Sequence, residues 1–146
     1  MRVRLARMRI KKGKEARVDE WLAMLNERIA EAVQTLDREK MKCEVVFRER
    51  VGNDQFLSWL AIQAEGGEKV ESSPFAIDQE HRKFAEECID HAYGARELQP
   101  QVIMVPDRVA RAMEWPDPPA ARVPFEDREK IHYKPGYTPQ NPDAPK

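Results

Sequence analysis

Residues 56–62 read Phe56-Leu57-Ser58-Trp59-Leu60-Ala61-Ile62, an apolar run in which both alternating sets carry large hydrophobic side chains. Leu57 and Trp59 share one parity, while Phe56, Leu60 and Ile62 share the other. Successive side chains of a strand point to opposite faces, so a strand of this composition is buried on both. The run therefore predicts one strand of a sheet with two covers. Gly52-Asn53-Asp54 separates it from a second β-branched and aromatic run at 43–51, so the two runs (43–51 and 56–65) read as a hairpin.

Working outward, residues 2–11 alternate, with Val3, Leu5, Arg7 and Arg9 on one parity and Ala6, Met8 and Ile10 on the other. Gly13 ends this strand. From Lys14 the apolar residues Val18, Trp21, Leu22, Leu25, Ile29, Val33 and Leu36 recur at spacings of one helical face, which predicts a single helix of about seven turns. Beyond the hairpin, Gly66-Gly67 breaks the chain, and Ser73-Pro74 reads as an N-cap followed by a first-turn proline. The helix that follows carries Ile77, His81, Phe84 and Cys88 on one face, and Gly94 lies beyond its end. Residues 101–105 predict a last short strand, stopped by Pro106.

The order β-α-β-β-α-β specifies an α+β, ferredoxin-like domain: a four-stranded antiparallel sheet with both helices on one face. If Ala6, Met8 and Ile10 face the helices, then Val3, Leu5, Arg7 and Arg9 lie on the open side. Two helices cover only one face of the strand at 56–62. A second copy of the sheet is the economical second cover and gives a two-fold homodimer with a shared interior; the chain's own tail is the competing cover.

Composition sets the remaining bounds. The chain has 146 residues with 41% apolar and 35% charged side chains and a formal net charge of -1. It holds no apolar run of the roughly 20 residues that a bilayer demands, and its first residues form no secretory leader. Its two cysteines, Cys43 and Cys88, are too few for a disulfide framework, so a cytoplasmic protein without membrane association is expected. Eight of the eleven prolines fall after residue 115, which divides the chain into a domain at 1–113 and an extended proline-rich tail at 114–146. Trp115, Phe125, Ile131, Tyr133 and Tyr137 dot that tail with apolar anchors suited to docking on the domain or on a partner.

Among ionisable residues, His81 is the natural proton carrier at neutral pH, and Asp78, three residues earlier on the same helix, is placed to receive a ring N–H. The competing reading is a core histidine that satisfies a single hydrogen bond. Arg7 and Arg9 on the open face would hold an anionic ligand, or else pair with Glu49 or Glu65 on neighbouring strands. Trp59, with Trp21, would stack on a flat ligand, or else simply fill the core. A Cys88–His81 nucleophile pair fails because seven residues of helix separate the two by about 10.5 Å. The three histidines show no metal-ligand spacing, and no phosphate loop follows Gly66-Gly67. Residues 1–14 carry seven basic side chains and no acid, but the strands lack the aromatic pattern on which RNA bases stack, so no nucleic-acid partner is expected.

Arg9-Ile10-Lys11-Lys12-Gly13-Lys14 followed by Trp21 resembles the strand-to-helix entry of dimeric α+β barrel proteins, with Lys12 where that superfamily often has proline. Ser73-Pro74-Phe75-Ala76-Ile77-Asp78-Gln79-Glu80-His81 resembles the opening of the second helix in a small prokaryotic family of unknown function. Together the resemblances cover roughly residues 2–105, taking boundaries as loose by a few residues. The superfamily implies a dimer and a small organic ligand, with isomerisation or cofactor-independent oxidation as the associated chemistry; the narrower family implies no activity. Two functions are therefore carried forward. One is a small-molecule-binding protein or cofactor-independent enzyme with an Asp78–His81 pair in a dimeric barrel cavity. The other is an accessory protein whose proline-rich tail docks on a partner subunit.

Overall fold

The computed structural model describes residues 1–115. Four strands form one antiparallel sheet: β1 (Arg2–Arg9), β2 (Met41–Val51), β3 (Asp54–Gln63) and β4 (Ala95–Leu98), in the order β2-β3-β1-β4. Three helices accompany them, α1 (Glu15–Glu27), α2 (Ile29–Leu36) and α3 (Ala76–Cys88), and a short α4 (Asp107–Ala112) follows β4. The hairpin is a two-residue turn, with Val51 paired to Asp54 and Gly52 at φ 58° in its first central position. A positive φ there suits glycine and matches the twist of the flanking strands.

Strand parity falls as the alternation predicts. Ala6, Met8 and Ile10 point toward the helices, and register carries that face across to Leu57, Trp59 and Ala61 on β3 and to Glu44 and Val46 on β2. Ile10, Leu57, Val18 and Trp21 of α1, and Phe84 and Cys88 of α3 form the buried core with Ile89. The opposite face presents Val3 and Leu5, Leu60 and Ile62, Cys43, Val45 and Phe47. Phe47 and Val51 are each 53% exposed there.

Three expectations are corrected. The single long helix is two, because Arg28 leaves helical geometry (φ -109°, ψ 31°) and its guanidinium ties the corner to Glu31 and to Glu80 of α3. The apolar stripe then stops being a buried stripe, since Ile29 and Val33 are exposed while Thr35 is buried. The last strand is Ala95–Leu98, not residues 101–105. Gly94 (φ 83°) turns the chain directly onto Leu5–Met8, and Glu97 pairs with Arg2 and Arg4, whereas Val102 and Met104 beyond Pro100 stay exposed. The element order is thus β-α-α-β-β-α-β. Finally, Ser73 stands two residues upstream of the N-cap position, which is Phe75; its Oγ accepts the Phe75 N–H at 3.2 Å.

The segment after β4 ends with Glu114 on Lys42 of β2, at the other edge of the sheet (2.8 Å). The tail anchors Phe125, Ile131, Tyr133 and Tyr137 lie outside the described residues. Among the described residues no helix is long and apolar enough to cross a membrane.

Gly67 has the least room of the described glycines, because a Cβ there would meet the Glu39 carbonyl oxygen at 1.9 Å. Gly67→Ala is expected to lower the urea unfolding free energy by about 1–3 kcal/mol, as overpacking against backbone does; an unchanged midpoint would show that the loop yields freely.

Candidate functional site

Between the helix-facing side of the sheet and α1, α2 and α3 lies a cavity of about 730 Å³, within the range of small-molecule sites. Its sheet wall includes Ala6 and Met8 of β1, Glu44 of β2 and Trp59 of β3; its helix wall includes Trp21, Thr35, Asp78 and His81. Cavity and core meet at Trp21, which is 1% exposed and stacks on Phe84 (centroids 6.3 Å apart, 3° between planes).

His81 sits edge-on to two indoles, 5.2 Å from Trp21 and 5.1 Å from Trp59 between ring centroids. Trp21 Nε1 donates to His81 Nδ1 at 3.1 Å. An indole N–H can only donate, so Nδ1 is unprotonated and neutral His81 carries its proton on Nε2. Burial pushes the His81 pKa down, against an upward pull from Asp78, and so favours this neutral form. Asp78 is 7% exposed and accepts a hydrogen bond from Ser73 Oγ within the loop that opens α3. The tautomer expected from Asp78 is therefore set by Trp21, while Ser73 holds Asp78.

Glu44 is the residue the sequence reading missed. Burial pushes its carboxyl up to about 7; Trp59 favours the ionised form, and the charges of Glu39 and Asp78 oppose it. Glu39 is raised as well, first by burial and then by Asp78. Registered against β3, Glu44 shares the inward face with Val46, an ionisable group at a core position of a β-branched run.

Of the residues singled out from sequence, His81, Asp78 and Trp59 line this one cavity. Arg7 and Arg9 lie across the sheet from it, because they belong to the other parity of β1. Arg7 pairs with Glu49 and lies 3.6 Å over the Phe56 ring; Arg9 pairs with Asp90 at 2.6 Å and lies 4.1 Å over Tyr93. Cys88 is fully buried, with its thiol pushed up by burial and by Glu87. Among the described residues no three His, Cys, Asp or Glu side chains converge as metal ligands.

These shifts act on stability in opposite directions. Folded Glu44 binds its proton more tightly than an unfolded glutamate of pKa 4.5, so its contribution is full below 4.5 and is lost as pH rises through about 7. The neutral preference of His81 works the other way, costing stability as pH falls below its ordinary 6.5. Glu44→Gln is expected to be more stable than the parent at pH 8, by about 2–3 kcal/mol, with little difference at pH 4, when urea midpoints are compared across that range. A constant difference at all pH values would place Glu44 in water.

No curated protein and no solved structure matches the chain. The model of a family of unknown function (DUF6176) matches residues 1–111, and the chain belongs to that family.

Proposed function

We propose that this protein is a homodimer that binds a small organic molecule between sheet and helices and moves a proton on it without a cofactor, in the manner of dimeric α+β barrels. The observation that carries the reading is His81, held between two indoles in the wall of a 730 Å³ cavity that it shares with the titrating Glu44. Flat apolar walls supply affinity by burial, and the few ionisable groups supply orientation and chemistry. Carboxyls whose pKa is raised toward neutrality are suited to general acid–base work at physiological pH. The Arg7 and Arg9 guanidinium groups have no part in this reading, since both are engaged on the far face.

Support for pairing comes from the far face itself. Val3, Leu5, Val45, Leu60 and Ile62 form a partly buried apolar field that Phe47 and Val51 extend into solvent. A face of this kind matches the self-complementary patch of a two-fold dimer with ferredoxin-like sheets packed face to face.

Two measurements test the proposal. Titration with cyclic ketones and hydroxyaromatic compounds is expected to give saturable quenching of tryptophan emission, at least tenfold weaker in His81→Leu. The absence of saturation by any compound at millimolar concentration removes the cavity as a binding site. Sedimentation equilibrium is expected to give twice the chain mass, and Phe47→Glu to give the single mass; a monomeric parent removes the pairing.

A further inference from the structure

Resting on the small-molecule reading above, we propose that the ligand is an uncharged enolisable carbonyl compound, with Glu44 taking the proton from the carbon beside the carbonyl and His81 donating its Nε2–H to the carbonyl oxygen. The division of roles follows from hydrogen bonding. Trp21 occupies the lone pair of Nδ1, and that ring nitrogen is thereby withdrawn from proton abstraction. Nε2 carries the remaining proton and has no partner among the described residues, so neutral His81 offers the cavity a donor and no base. A neutral imidazole that donates to a developing enolate oxygen is an established way to stabilise such an intermediate. The base must then come from the carboxyls of the wall. Glu44 is raised to about 7 and is the carboxyl on which Trp59, the neighbour of His81, acts, whereas Asp78 is engaged by Ser73.

Trp59 is the neighbour that the two groups share. Glu44 and Trp59 belong to adjacent strands of the same sheet face, Trp59 acts on the Glu44 carboxylate, and the Trp59 ring is 5.1 Å from that of His81. A flat ring lying along Trp59 would present its carbonyl to one group and its neighbouring carbon to the other. The ligand is uncharged for two reasons. Glu39, Asp78 and Glu44 itself repel an anion, and a cation would draw the Glu44 pKa down and weaken the base. The other charged residues that line this space are Arg2 and Arg4 of β1 and Glu68, Lys69 and Glu71 of the connecting loop.

The step balances within the cavity. The C–H bond breaks as Glu44 forms an O–H bond; the electron pair becomes a C=C bond, and the carbonyl π pair moves to oxygen against His81 Nε2–H. Glu44 then returns the proton to the same carbon, or to the far end of a conjugated enolate, which gives an isomer.

The test is hydrogen–deuterium exchange of cyclohexanone and related neutral cyclic ketones in D2O, followed by proton NMR, with tryptophan quenching recorded on the same samples. Exchange above the buffer rate is expected to rise with pH through about 7 and then level off, as ionisation of Glu44 requires. Glu44→Gln is expected to lose at least about 100-fold of the rate while still quenching, and His81→Gln, which retains an N–H, to keep more of it than His81→Leu. A rate that falls above pH 7 assigns the base to another group and overturns the proposal. Binding of any compound without ketone exchange overturns it while leaving the small-molecule site intact. Neither binding nor exchange overturns both. The pH profile of the parent protein decides the question even where a variant fails to fold.

Discussion

The Trp21–His81 hydrogen bond is the contact on which the rest of the site depends. Trp21 is fully enclosed, and a buried indole N–H left unpaired costs on the order of 1–3 kcal/mol. The fold meets that demand with His81 of α3, whose Nδ1 accepts the indole N–H. Packing follows from the same residue, since Trp21 also stacks on Phe84 and lies 6.0 Å from Trp59. A requirement of core stability thus determines which nitrogen of His81 is free for chemistry. The hydrogen bond of a satisfied core histidine engages Nδ1 alone.

The sheet divides the remaining chemistry by parity. One side of β1 sends Ala6 and Met8 to the cavity; the other sends Val3 and Leu5 to the apolar face, and Arg7 and Arg9 to its far end. There the arginines cover aromatic rings with their planar heads while their carboxylate partners neutralise them, which lets apolar Phe56 stay 5% exposed beneath charge. That face therefore carries paired charge at one end and aliphatic surface at the other.

The face assignment of β1 was legible in the sequence because period-2 alternation is a direct consequence of backbone geometry. The hairpin was legible from Gly52-Asn53-Asp54, and the placement of Asp78 and His81 on one helix from their spacing. The end of the first helix was not legible, because Ile29 and Val33 continue its stripe without interruption, and only the long-range pairing of Arg28 with Glu80 gives the corner a partner. The last strand escaped because its residues Ala95-Arg96-Glu97-Leu98 carry no strand pattern of their own. Their pairing comes from the unfilled edge of β1 and from the two arginines that meet Glu97. Glu44 escaped for a related reason. Its neighbours are apolar on both parities, so the inward face of β2 is defined only once β3 is registered against it.

The break at Arg28 explains why a cavity exists at all. A continuous helix would keep Ile29 and Val33 in line with Val18, Trp21 and Leu25, over the sheet, where they would fill the space. Instead α2 turns them into solvent, forgoing the roughly 1.5–3 kcal/mol that burial of each such side chain provides, and presents Ala32, Thr35 and Leu36 to the interior. The wall opposite carries half-buried Glu44, whose carboxyl is pushed up by burial. Each of these is a departure from what local pattern and burial favour, and both border the same volume. Folds tolerate such departures where a site requires them. The convergence of a forgone apolar contact and a half-buried acid on one cavity is thus a structural argument for occupancy.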